Sequence, residues 1–441
     1  MKKTLVALAA LAATSAFAQS SVTVYGVADI GYGVKSIEGS TGIIQQKQTG
    51  VMDGGYAGNR IGFRGTEDLG GGKAAGFVIE QGISPTNGAL FGVRTANAGL
   101  QLDGFAGSTG RFDQGTGGGY SQGTNRQSFV SFADKSLGEV RAGYQYTALY
   151  EISTLMGFTQ TSEGVYGGAQ SHTFGQGVVG GTRANGIQYI SPRMSGFGAA
   201  IQTGSAGGRD TTETVSPSTA TGLTQDKNKR FSLKLDFEQG PWKAAVAQTS
   251  FHSVQSAKAA AATNLNSMVG SGATAIVQTF NVYGALTSVG GSPAGASEYE
   301  TKLNQIAGSY DAGQWKVGFT KNSGTMNVLA SPGVIFGTAP SSASGNKSGN
   351  YKIDSQALSG LYKLGNYSFI AGMGTAKLTN DAEAAGVISQ DYKQKQVGAM
   401  YDFSKRTKLY GYQGQWTNEP TTASSTAAKG TQTIVGLLHT F

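Results

Sequence analysis

Phe231-Ser-Leu-Lys-Leu-Asp-Phe-Glu238 is the stretch on which the fold turns. Phe231, Leu233, Leu235 and Phe237 fall on one face, and Ser232, Lys234, Asp236 and Glu238 on the other. A period of two is a strand period and cannot be a helical one. The apolar face has four large side chains, so it must be shielded from water. The other face carries charges that cost on the order of 2–4 kcal/mol each near the middle of a bilayer. One face therefore suits lipid and the other suits water.

The same split recurs along the chain. Ile61 and Phe63 alternate with Arg60, Gly62 and Arg64; Phe77 and Ile79 alternate with Val78 and Glu80; Trp315, Val317 and Phe319 alternate with Lys316, Gly318 and Thr320. Such bursts fall near 21–34, 58–67, 73–82, 126–134, 139–147, 183–192, 197–206, 229–240, 242–251, 302–313, 314–324, 351–364, 366–378, 391–403, 407–418 and 430–441. That is roughly sixteen, an even number within the range of single-chain bacterial barrels. The connections alternate in length. Leu69-Gly-Gly-Gly72, Lys135-Ser-Leu-Gly138 and Gln239-Gly-Pro241 are short, whereas 83–125, 207–228, 252–301 and 325–350 are long and polar. Short turns on one rim and long loops on the other are the outer-membrane arrangement. The Ala-rich piece 257–263 suits a turn of helix within its loop. No shift in composition marks a second domain. The reading is all-β: one transmembrane antiparallel β-barrel of about sixteen strands over 19–441.

The first residues set the compartment. Lys2 and Lys3 precede an apolar run, Leu5 to Ala13, and Ala16-Phe17-Ala18 follows. Positive charge, apolar core and small residues at the cleavage site make residues 1–18 a secretory signal peptide, cleaved between Ala18 and Gln19. The apolar run is far short of the ~20 residues that a membrane helix needs. Removal of the two lysines lowers the net charge of +8 by two. No dense Lys/Arg cluster accompanies that charge, which argues against a nucleic-acid partner.

Composition removes other classes. The chain has no cysteine, so neither a disulfide nor a thiolate metal site is possible. Its three histidines, His172, His252 and His439, are far apart. The first two fall in expected loops and the third on an expected lipid face. No nucleophile with a nearby base is evident and no G-x-S-x-G elbow sits between a strand and a helix, so no enzyme and no cofactor are expected.

The last strand ends Thr431-Gln-Thr-Ile-Val-Gly-Leu-Leu-His-Thr-Phe441. Val435, Leu437, His439 and Phe441 share a face, and a terminal aromatic on that face suits a girdle at the lipid boundary. Phe441 is therefore an expected assembly residue.

Several segments resemble the trimeric porins of Gram-negative β-proteobacteria. Ser21-Val-Thr-Val-Tyr-Gly-Val-Ala-Asp29 resembles their first strand, and Asn59-Arg-Ile-Gly-Phe-Arg-Gly-Thr-Glu-Asp-Leu-Gly-Gly-Gly72 their second strand and first turn. Leu137-Gly-Glu-Val-Arg-Ala-Gly-Tyr-Gln-Tyr-Thr147 resembles the approach to their third loop. Asn185-Gly-Ile-Gln-Tyr-Ile-Ser-Pro192, Ser404-Lys-Arg-Thr407 and Gly436-Leu-Leu-His-Thr-Phe441 complete the likeness. The resemblance implies sixteen strands, a homotrimer and a third loop, here about 148–182, folded into the pore. It also implies a pore constriction in which wall arginines face acids on that loop. Arg60 and Arg183 match wall arginines, and Arg64 shares the inward face of Arg60. Tyr144 stands where the family has a further arginine, and Arg141, three residues earlier, is its partial replacement. Glu151 and Glu163 are the acids of the loop, and Leu438 and Thr440 stand where basic residues are common.

The function implied is passive diffusion of small hydrophilic solutes and ions across the outer membrane. Rings of Arg favour anions, and wall arginines outnumber loop acids, so a modest anion preference is expected. Partners would be the lipid and lipopolysaccharide of the outer membrane, the barrel-assembly machinery, and two further copies of the chain. A channel specific for an organic acid, a phosphate or a sugar is the alternative, and an adhesin-type barrel a more distant one.

Overall fold

Backbone pairing turns the alternating segments into a closed wall. The computed structural model describes residues 21–39, 44–53, 55–86, 126–153, 183–205, 211–214, 224–255, 297–330, 349–380, 390–420 and 428–441. Their strands are β1 (Ser21–Gly39), β2 (Ile44–Asp53), β3 (Arg60–Gly70), β4 (Lys73–Gly82), β5 (Ser128–Asp134), β6 (Gly138–Tyr146), β7 (Arg183–Ile190), β8 (Phe197–Ser205) and β9 (Thr211–Thr214). There follow β10 (Thr224–Gln239), β11 (Trp242–Gln255), β12 (Ser297–Asp311), β13 (Trp315–Ala330), β14 (Gly349–Leu364), β15 (Tyr367–Asn380), β16 (Gln390–Asp402), β17 (Thr407–Pro420) and β18 (Ala428–Thr440). One short helix, α1 (Ala148–Ser153), follows β6.

These segments form one antiparallel sheet that closes when β1 pairs with β18, from Val27 opposite Thr440 to Gly39 opposite Ala428. β2 and β3 both pair with β1, at successive heights, and β8 and β9 both pair with β10. Each of those couples is one wall strand in two pieces, so the barrel has sixteen wall strands. Closure leaves no strand edge exposed to lipid, where an unpaired amide costs several kcal/mol.

Seven short connections share one rim with the chain end at Phe441. Gly70, Gly71 and Gly72 carry φ of 77°, 60° and 80°. Three successive left-handed residues turn β3 into β4 within the Leu69-Gly-Gly-Gly72 stretch, a path that side chains with a Cβ resist. Aromatic pairs cluster beside these turns: Trp242 with Tyr310 (4.5 Å between ring centroids), Tyr310 with Trp315 (5.3 Å), Tyr367 with Tyr401 (4.9 Å) and Phe197 with Phe237 (4.8 Å). Rings of this kind sit at the membrane interface.

The alternation points outward and inward as the side chains dictate. Phe231, Leu233 and Leu235 are exposed on the outer face, while Ser232 is enclosed and its hydroxyl lies 2.7 Å from that of Thr249. Val435, Leu437 and Phe441 are likewise exposed, and Ile434 and Leu438 enclosed. At the seam the Phe441 amide donates to the carbonyl of Gly26 (3.2 Å), and the Phe441 carbonyl accepts the Gly26 amide in return (3.1 Å). A Cβ at Gly26 would stand 2.2 Å from the Phe441 ring, so that ring lies in the space the glycine leaves.

The structure departs from the sequence reading beyond the lipid belt. β2 falls outside the sixteen bursts, and β10, β11, β12 and β13 each run several residues past their expected ends. Above the membrane no face must be apolar, so pairing continues without alternation. His252 consequently lies on β11, opposite Lys229 and Glu300, and not in a loop. Part of the interior is also packed. Val27, Ile370, Met400, Tyr410, Tyr412, Ile434 and Leu438 form an inward apolar cluster, joined by Met52, Tyr56, Ala57 and Leu361. The expected helical turn at 257–263 lies outside the described residues.

Candidate functional site

The wall beside that cluster, where Arg60 pairs with Val27, is charged. Arg60 opens β3 and Glu80 ends the inward row of β4, and the register places the two near the same height, Arg60 facing Gly82 and Gly62 facing Glu80. Arg60 Nε lies 3.5 Å from Glu80 Oε2, and its Nη1 donates to the carbonyl of Gly58 (3.0 Å). Arg126, just ahead of β5, grips the other oxygen of Glu80 through Nε and donates from Nη2 to Tyr146 Oη (3.3 Å). Tyr25 on β1 donates to Glu80 Oε2 (3.1 Å). The Arg64 guanidinium lies 5.3 Å from the centre of the Tyr25 ring, within reach of its π face. Glu80 and Arg126 are almost wholly enclosed, at 5% and 2% exposure, whereas Arg60 keeps 26%.

A second group lies farther round the wall. Arg141 on β6 makes two hydrogen bonds to Glu139 (2.9 and 2.8 Å) and lies over the Phe129 ring at 5.0 Å. Its cross-strand neighbour on β7 is Gln188, which donates to Glu151 Oε1 (3.3 Å). Glu151 belongs to α1 and accepts from Lys234 Nζ at 2.6 Å; Lys234 is also 3.7 Å from Asp236. Ala148 and Ile152 are buried, so α1 is fixed by packing as well as by charge. Lys234 thus answers the inward position that its alternation predicts.

Of the expected constriction residues, Arg60 and Arg64 come together around Tyr25, and Glu151 meets Gln188, the strand neighbour of Arg141. Tyr144 is half-buried, opposite Ser128 and Asn185, and Arg183 opens β7 opposite Tyr146. Glu163 and the signal-cleavage residues Ala16, Ala18 and Gln19 lie outside the described residues. The sequence reading missed Arg126, Tyr25, Tyr146 and the pairing of Lys234. Arg126 stands ahead of its strand, where alternation carries no signal. Among the described residues no group of three or more His, Asp or Glu is placed to hold a metal ion.

A closed barrel with an apolar outer belt, an aromatic rim and ionised groups inside is a transmembrane β-barrel with an aqueous interior. Residues 4–330 match the model of the Gram-negative porin family, to which this chain belongs. It is an outer-membrane protein and a passive channel. It is 35% identical to outer membrane porin protein 32 of Delftia acidovorans over 205 residues, 45% of this chain and 48% of that protein. An outer membrane porin protein of Bordetella pertussis is 27% identical over the whole of both chains. Among solved structures, the anion-selective porin from Comamonas acidovorans matches with a TM-score of 0.58 at 19% identity, over 96% of this chain and 100% of that one.

Proposed function

We propose that this channel is a general diffusion pore with a modest preference for anions, exported with loss of residues 1–18 and assembled as a homotrimer. The observation that carries the preference is Arg60, partly exposed beside a single carboxylate, Glu80, that enclosed Arg126 already neutralises, with Arg64 over the neighbouring Tyr25 ring. Guanidinium groups stay ionised at any physiological pH, and fixed positive charge beside a narrow aqueous path favours anions. The Comamonas porin whose fold this chain shares is described as anion-selective, which accords with the reading. The trimer is supported by the fold, since an outer membrane protein of Vibrio cholerae with the same fold is described in a trimer form. The third loop, 148–182, is read as folding into the pore, and the ion pair of Glu151 with Lys234 is where its first turn would be tethered. No catalytic role is assigned.

Liposome swelling tests this directly. Vesicles carrying the protein should swell in small neutral sugars and amino acids at rates that fall smoothly with solute size, and faster in organic anions than in cations of equal size. Entry of a single solute class, with exclusion of others of the same size, would replace the general pore by a specific one.

A further inference from the structure

One wall strand carries more chain than its neighbour can pair. β3 begins at Arg60, opposite Val27, and β2 ends at Asp53, opposite Ile30. Between those points β1 has only Ala28 and Asp29, while the second wall strand has all of 54–59.

The surplus lies on the inner face. Asp29 shares that face with Tyr25 and Val27 and is wholly enclosed. Its Oδ2 accepts the amides of Tyr56 (2.6 Å) and Ala57 (2.5 Å), and its Oδ1 accepts the hydroxyl of Tyr410 (2.6 Å). Asn59 completes the attachment, donating from Nδ2 to the Asp29 carbonyl (3.0 Å) and accepting the Asp29 amide at Oδ1 (2.5 Å). The Tyr56 ring packs 5.8 Å from that of Tyr410. A Cβ at Gly55 would stand 2.2 Å from Tyr410 Oη and 2.8 Å from Ile434 Cδ1, so the backbone itself rests on those two side chains. Tyr410 is on β17 and Ile434 on β18, beyond β1 from β3. Residues 55–59 therefore cross the inside of the seam. A buried carboxylate is costly unless several donors meet it, and here two successive backbone amides and a hydroxyl do.

We propose that residues 55–59 are a fixed constriction of the pore: an inward ridge, latched by Asp29 and Tyr410, that closes one side of the lumen and confines solutes to the Arg60–Glu80 wall. The proposal rests on the channel reading. The ridge backs onto the packed cluster of Val27, Tyr410, Ile434 and Leu438, where water has no room. Its other end runs into Arg60, whose Nη1 donates to the ridge carbonyl of Gly58. The ridge thus narrows the path and orients the arginine that faces it. The ridge belongs to the wall itself, between the two paired pieces of one wall strand, β2 and β3.

The chain has no cysteine, so Ala57→Cys supplies a unique thiol on a half-buried ridge residue. In planar bilayers, a negatively charged methanethiosulfonate should reduce the current of Ala57→Cys channels stepwise and shift the zero-current potential toward cations, leaving the wild type unchanged. Tyr410→Phe removes only the latch hydroxyl; its open-channel current should rise or become noisier while the unheated protein keeps its folded mobility on gels. The ridge is refuted if the Ala57 thiol cannot be labelled, or if mass spectrometry shows it labelled with the current unaltered. It is equally refuted if folded Tyr410→Phe conducts as the wild type does. A wild-type protein that inserts but does not conduct would instead overturn the channel reading itself.

Discussion

Arg126 holds Glu80 from an enclosed position, whereas Arg60 reaches the same carboxylate with a quarter of its side chain in the lumen. That difference in burial separates stability from selectivity. Arg126→Met leaves a buried acid short of its tightest partner, a loss of about 3–5 kcal/mol. Arg60→Ser leaves Glu80 with Arg126 and Tyr25, so its effect on stability should stay near about 1 kcal/mol. Gel mobility of unheated samples, warmed in steps, reads both. Arg126→Met should lose its folded band at a clearly lower temperature than Arg60→Ser; equal shifts would contradict the division. The inward aim of Arg60, Arg64, Glu80 and Lys234 was legible from alternation alone. Their partners were not. Glu80 meets Arg126 across 46 residues and Lys234 meets Glu151 across 83, and those meetings depend on how the chain returns to the wall, which no local pattern records. Tyr144 was singled out by resemblance only, and it stands half-buried between Ser128 and Asn185.

At the scale of elements, the seam between β1 and β18 is where the barrel is closed last by sequence order. Phe441 contributes two backbone hydrogen bonds to Gly26 and a ring that fills the space above it. Deleting Phe441 should lower the yield of protein in the outer membrane more than it alters the conductance of the channels that insert. Gly26→Val should do the same, because its side chain must displace that ring. Normal yield of both variants would remove the assembly role. The strands themselves show where sequence reading works. Between the two interfaces every wall strand must present an apolar row to lipid, and there the bursts of alternation found the strands. Above that belt the constraint lapses. β2, with Gln46-Lys-Gln48 at its centre, and the upper reaches of β10 to β13 pair beyond the alternating bursts, so they read as loop. The ridge at 55–59 was invisible for a further reason: Gly54-Gly-Tyr-Ala-Gly58 resembles an ordinary turn until Asp29 is known to lie beneath it.

The whole molecule divides its interior into a packed side and a charged side. A barrel with that much paired backbone resists detergent. Unheated samples should migrate as a trimer and boiled ones as a monomer, with a β-dominated circular dichroism spectrum in the former; a helical spectrum would contradict the fold. N-terminal sequencing of outer-membrane material should begin at Gln19, and a mature protein that retains Lys2 would contradict the export reading. The measurement that bears most directly on the central claim is the zero-current potential across a planar bilayer in a gradient of potassium chloride. The wild type should show the sign of chloride preference, weakening as salt screens the wall. Replacing Arg60 and Arg64 by Ser should shift the potential toward the cation side while conductance stays level or rises. A potential that the double variant leaves unmoved, or a wild type that prefers potassium, would contradict the assignment of selectivity to the Arg60–Glu80 wall.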